Sequence, residues 1–152
     1  MEKAILMGPA GFTGIRLDPG LLLSFGRPFI NSSDTNVASF LKYTILGPGH
    51  KLNEEYFALL NKMFQVSFKH FKPGAQIPYV FSDEEIELLN APVLLLCGEN
   101  DALFSSNKTV NRAKALLPNL RHTELIPELG HAIGNYSLVI KHIKKFIQDS
   151  SK

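Results

Sequence analysis

The sequence predicts an α/β fold built on a parallel sheet, and three observations carry that expectation. Val93-Leu94-Leu95-Leu96-Cys97 is an unbroken apolar run, which suits a strand covered on both faces rather than one with a wet side. About thirty residues later His122 to Ile126 forms a second short strand, again followed by a glycine turn. From Ala91 onward the order is strand, helix, strand, helix, and residues 3–7 add a third strand. All three strands, about 3–7, 93–97 and 122–126, are expected parallel with right-handed crossovers. A chain of 152 residues, 45% hydrophobic and 20% charged, suffices for one domain with a real core, residues 1–152.

In chain order, Lys3 to Met7 reads as a strand, and Gly8-Pro9-Ala10-Gly11-Phe12 as the turn after it. A phosphate-binding loop on Gly8, Gly11 and Gly14 is disfavoured: Pro9 has no amide, and Asp18-Pro19-Gly20 interrupts the helix such a loop requires. Leu21 to Phe29 is apolar but broken by Gly26 and Pro28, so it is read as irregular or a short helical turn. Asn31-Ser32-Ser33-Asp34 offers N-caps for a helix whose Val37, Phe40, Leu41 and Ile45 recur at helical spacing, up to Gly47-Pro48-Gly49. Asn53 caps a second helix, with Tyr56, Phe57, Leu60, Met63, Phe64 and Phe68 along a broad face until Pro73-Gly74. Most of the 11 Phe residues fall in this region, and an aromatic stripe at helical spacing reads first as core and second as a ligand-pocket lining.

Ser82-Asp83-Glu84-Glu85 is a capping box that starts a short helix through Leu89. Pro92 opens the central strand, where its missing amide does no harm. Ser105 or Ser106 caps a helix over residues 108–117, with Val110, Ala113, Leu116 and Leu117 toward the sheet. A last helix spans residues 135–148, with Leu138, Val139, Ile143, Phe146 and Ile147 inward and Lys141, Lys144 and Lys145 on a solvated face.

The formal net charge is +2 and the basic residues are scattered, so no nucleic-acid partner is expected. Cys97 is the one cysteine; an intrachain disulfide is excluded, and a thiol inside a buried strand acts as a small hydrophobe. The first apolar run is short and stopped by Gly8-Pro9, and no segment approaches the ~20 apolar residues of a membrane span. A cytoplasmic protein with no cofactor and no metal is expected.

In open α/β sheets, sites form beyond the carboxyl ends of the strands. There the chain places Glu99-Asn100-Asp101 after one strand and His131 after the next. An acid and then a histidine, on successive strand ends, is the back half of a nucleophile–acid–histidine order. PVLLLCGENDALF, the helix over residues 108–117 and ELIPELGHAI resemble the last third of an α/β-hydrolase-fold serine hydrolase of the esterase and lipase kind. The resemblance covers residues 91–147 well, residues 3–12 moderately and the stretch between them loosely.

The resemblance implies Asp101 as the triad acid, with Glu99 as the alternative, and His131 as the base. It also implies a helical lid over residues 13–79 and a small acyl or ester substrate for the full-length relative. The family's G-x-S-x-G elbow does not occur in this sequence. Ser24 has Gly26 after it but Leu22 before it, and Ser32, Ser33 and Ser67 have no such frame. The expectation is a C-terminal portion lacking the nucleophile half, inactive alone. An apolar edge strand invites pairing, so a homodimer is expected along Ala4, Ile5, Leu6 and Met7. The competing expectation is a non-catalytic binding or assembly module on the same scaffold.

Overall fold

The computed structural model describes residues 2–70, 78–134 and 136–149. The expected break at Pro73-Gly74 and the expected helix start at Asn135 lie outside the described residues. Three parallel strands, β1 (Ala4–Met7), β2 (Val93–Gly98) and β3 (Leu120–Ile126), form one sheet in the order β1-β2-β3. The three expected strands are present, with ends moved by one or two residues. β2 runs on to Gly98, and β3 begins at Leu120.

Every residue of β2 is buried, as its unbroken apolar run requires. Its side chains alternate between two cores. Val93, Leu95 and Cys97 pack with Phe12, Ile86 of α4 (Asp83–Glu87), and Val110 and Ala113 of α5 (Ser106–Leu116). Leu94 and Leu96 pack with Ile126, Leu129, Ile133, and Val139 and Phe146 of α6 (Ser137–Gln148). Ile147, expected inward, is 60% exposed: it falls on the outer side of the helical stripe that Val139 and Phe146 bury. No described helix is long and apolar enough to cross a membrane.

Between β1 and α4 stands a helical layer. The stretch read as irregular is a helix, α1 (Pro19–Ile30). Asp18 accepts the Leu21 amide at 2.9 Å, and Pro19 occupies the first turn, where no donor is needed. Pro28 sits in the last turn and is buried with Leu21, so packing outweighs the breaker residues. α2 (Asp34–Phe40), capped by Ser33, continues as a wider π-helical turn over Leu41–Leu46. α3 (Glu54–His70) starts where Asn53 Oδ1 accepts the Tyr56 amide at 2.7 Å. The aromatic stripe fills the core of this layer: the Phe40 ring lies 5.7 Å from Phe25, 5.7 Å from Phe64 and 5.0 Å from Phe68.

The layer leaves and returns to the sheet at one place. The Phe81 amide donates to Gly11 O at 2.9 Å, and Arg112 of α5 donates to Phe12 O at 2.9 Å and Phe81 O at 2.7 Å. The capping box of α4 forms as expected, with Ser82 and Glu85 exchanging bonds of 3.2 and 2.8 Å. Ser105 stands at the N-cap of α5 without a side-chain bond, while the buried Ser106 donates to Gly98 O at 2.6 Å.

At the opposite end the layer docks on the loop after β3. Gly130 N donates to Leu46 O and Ala132 N to Ile45 O, both at 2.8 Å, and Gly49 N to Glu128 O at 2.9 Å. Three glycine backbones meet there. A Cβ on Gly98 would stand 1.9 Å from Gly130 O, and one on Gly47 (φ +76) would stand 2.3 Å from Gly130 N.

Gly98→Ala is therefore expected to destabilise the fold by about 3 kcal/mol in urea unfolding, since only backbone could move aside. Gly26→Ala, in α1 with nothing within 4 Å of the added methyl, is expected to stabilise it by about 0.5–1 kcal/mol. Burial, with the Asp101 charge adding to it, pushes the Cys97 thiol up to about 12. A thiol reagent at pH 8 is expected to leave Cys97 unlabelled in the native chain and to label it fully in urea; rapid native labelling would contradict the buried placement.

Candidate active site

Beyond Gly98 the chain turns, and its backbone is fastened to the loop after β3: Glu99 N donates to Ile126 O at 2.9 Å and Asn100 N to Leu129 O at 2.8 Å. This turn delivers Asp101 into the interior, where it is 3% exposed. Its Oδ1 accepts the amides of Leu103 at 2.8 Å and Phe104 at 3.1 Å, which fixes the carboxylate plane. Its Oδ2 is left facing His131 Nδ1 at 2.9 Å. An ionised carboxylate only accepts, so Nδ1 carries a proton, and in the neutral ring Nε2 then keeps its lone pair. That is the tautomer a general base requires.

His131 is held on several sides. The flanking amides of Gly130 and Ala132 are bonded to the helical layer. The Phe104 ring lies 5.6 Å from the imidazole, tilted by 46°. Gly8, in the turn after β1 and at φ +52, lies so close that a Cβ there would meet His131 O at 3.1 Å and Nδ1 at 3.4 Å. The ring itself remains partly open, its side chain 29% exposed. The structure thus brings Asp101 and His131 together and leaves Glu99 aside, where Oε2 accepts the Glu128 amide at 3.4 Å.

Three of the four serines considered from sequence, Ser24, Ser33 and Ser67, are engaged elsewhere. Ser24 Oγ donates to Leu21 O at 3.1 Å and shares a hydrogen bond of 2.9 Å with Thr44. Ser33 caps α2, and Ser67 Oγ donates to Met63 O at 3.0 Å. No third metal-capable side chain joins Asp101 and His131 among the described residues.

Two clefts open along the helical layer beside this site. One of about 520 Å³ is lined by Arg16, Leu21, Ser24, Arg27, Tyr43 and Asn100. The other, about 770 Å³, is lined by Tyr43, Leu46, His50, Leu52, Phe57 and Asn100. Arg16 also hydrogen-bonds through Nη1 to Asp101 O at 3.5 Å, while its amide donates to Leu103 O at 2.8 Å. Arg16 and Tyr43 carry no sequence signal, because only the docking of the helical layer brings them to the acid loop that holds Asn100. Gly8 and Phe104 were visible as turn and apolar residues, but their contact with His131 is tertiary.

No protein-family model matches the chain. It is 33% identical over 73 residues to an uncharacterized carboxylesterase, nap, of Bacillus subtilis, a match covering 47% of this chain and 24% of that protein. It is 36% identical over 57 residues to the carboxylesterase YbfK of the same organism, covering 38% of this chain and 19% of the relative. The crystal structure of that enzyme superposes on 97% of this chain with a TM-score of 0.72 at 22% identity, so the chain spans 51% of its length. A meta-cleavage product hydrolase from Pseudomonas fluorescens superposes on 96% with a TM-score of 0.66 at 20% identity, and 54% of it is covered. Against solved structures the likeness is one of fold, and the segment matches in sequence are to carboxylesterases. The chain has part of the α/β-hydrolase fold, and over less than half of its length it is similar in sequence to carboxylesterases.

Proposed function

We propose that this chain contributes the acid and the base of a serine-hydrolase triad acting on small acyl esters. The supporting observation is the 2.9 Å bond between a buried Asp101, already held by two amides, and an accessible His131 on the next strand end. In that reading His131 Nε2 takes the proton of a serine hydroxyl as it attacks the ester carbonyl, and returns it to the leaving alcohol. Asp101 holds the imidazole in orientation and stabilises the imidazolium. The serine and its oxyanion donors come from sequence outside these 152 residues, on a strand that pairs with β1. Support comes from the alternation of β1: Ala4 and Gly8 donate to Pro92 O and Leu96 O, which leaves the Ile5 and Met7 amides turned to the free edge. The helical layer between β1 and α4 serves as the lid, and the clefts at Tyr43 and Asn100 receive the acyl group.

The chain alone is expected to be inert to a fluorophosphonate probe, and robust labelling would overturn this reading. Combined with an elbow-bearing half of a carboxylesterase, it is expected to hydrolyse p-nitrophenyl acetate, and Asp101→Asn should lower kcat by about 10⁴. A drop under tenfold would remove Asp101 from the mechanism, and absence of hydrolysis by the combined halves would favour the non-catalytic binding module.

On its own, the chain is proposed to close the same edge with a second copy. A two-fold pairing of identical strands is antiparallel, and Met7, 46% exposed, sits at its end. Met7→Lys is expected to turn a dimer into a monomer in sedimentation at micromolar concentration, with unchanged circular dichroism. A monomeric parent chain would refute the dimer.

A further inference from the structure

β3 carries a register shift against β2. Val93 pairs with Leu120, but Leu94 pairs with His122, so Arg121 is an extra residue. A one-residue slip exchanges the faces of a strand. Past Arg121, the side chains of His122, Glu124 and Ile126 therefore point toward α6. Ile126 enters the core beneath that helix, while His122 and Glu124 reach the rim.

α6 answers with His142, one turn beyond Leu138 and one turn before Phe146. His122 Nε2 lies 3.2 Å from Glu124 Oε2, and the His122 and His142 rings are nearly parallel, at 16°, with centroids 5.3 Å apart. One ligand atom from each of the three residues falls within 4.8 Å of the others.

Those separations lie within side-chain reach of a coordination sphere. Ligand atoms about 2.0–2.2 Å from a tetrahedral zinc ion stand roughly 3.4 Å from each other, a spacing the His122–Glu124 pair already has. Two imidazoles and a carboxylate suit zinc, nickel or copper, whereas calcium and magnesium demand oxygen ligands. We propose that His122, Glu124 and His142 form a site for a divalent transition metal of the zinc class, which ties α6 to the edge strand β3. The sequence reading expected no metal, because the ligands come from a bulged strand and a distant helix rather than from a local spacing motif.

Three protein ligands leave at least one position open. Arg121, Lys141, Lys145 and Asp149 line the same cleft of about 380 Å³. Lys141 and Lys145 are exposed, so solvent screens their charges, and the rim lowers cation affinity. The same rim favours an anionic external ligand. The site lies about 13 Å of strand before the end of β3, remote from Asp101 and His131, so its effect is on stability.

The test is a titration of the metal-free full chain with Zn²⁺ and Co²⁺, read by calorimetry, by the visible spectrum of Co²⁺ and by thermal unfolding. One equivalent should bind at micromolar concentration, and because only the folded chain presents the site, Zn²⁺ should raise Tm. His142→Gln should weaken binding at least about tenfold and abolish the Tm rise. The exposed His122→Gln, held to the same criterion, decides the matter if His142→Gln does not fold. His50→Gln and His70→Gln should bind as the parent does. Absence of binding below millimolar Zn²⁺, or undiminished affinity in the deciding variant, overturns the proposal.

Discussion

The carboxyl end of the sheet depends on backbones touching where no side chain fits. Gly98 ends β2, Gly130 precedes the histidine, and Gly47 follows the π-helical turn, and the three stack in line. Asp101 is three residues from the first and His131 one residue from the second. Their 2.9 Å separation is therefore set by main-chain geometry rather than by flexible side chains. Misplacement by about 1 Å can cost a catalytic group some 10²-fold, so such rigidity has chemical value.

The same stack couples the helical layer to the imidazole. The amides on both sides of His131 donate to Leu46 O and Ile45 O and not to the sheet. Ile45 and Leu46 are the last two residues of the π-helical turn, where the carbonyls of any helix lack intrahelical partners, and these are the carbonyls the histidine loop uses. The layer is thus part of the scaffold of the site. Its aromatic residues, led by Phe40, give the layer a packed core of its own.

Much of this was legible in the sequence, for physical reasons. β2 announced itself because a doubly covered strand has no polar alternation, and the Ser82–Glu85 box because its reciprocal bonds are local. Asp101 and His131 were legible as strand-end residues in a recognisable frame. α1 was not, because Gly26 and Pro28 are breakers in isolation, and only the burial of Leu21 and Pro28 overrides them. Ile147 failed because helical periodicity identifies an apolar stripe but not its exact width. Arg112 drew no notice in the sequence, since its carbonyl partners lie 100 and 31 residues away. The bulge at Arg121, which decides which way His122 and Glu124 face, leaves no mark in composition.

Arg112, holding Phe12 O and Phe81 O beside the Gly11–Phe81 bond, makes the helical layer an excursion whose two ends coincide. For such an excursion the entropy of closure grows only with the logarithm of its length; doubling it costs about 0.6 kcal/mol. Helices can be inserted, shortened or exchanged between those two carbonyls while the sheet and the arginine clasp stay as they are, provided that Ile45 to Gly49 keeps its bonds to the histidine loop. Evolution can then vary what lines the approach to the site around one retained contact.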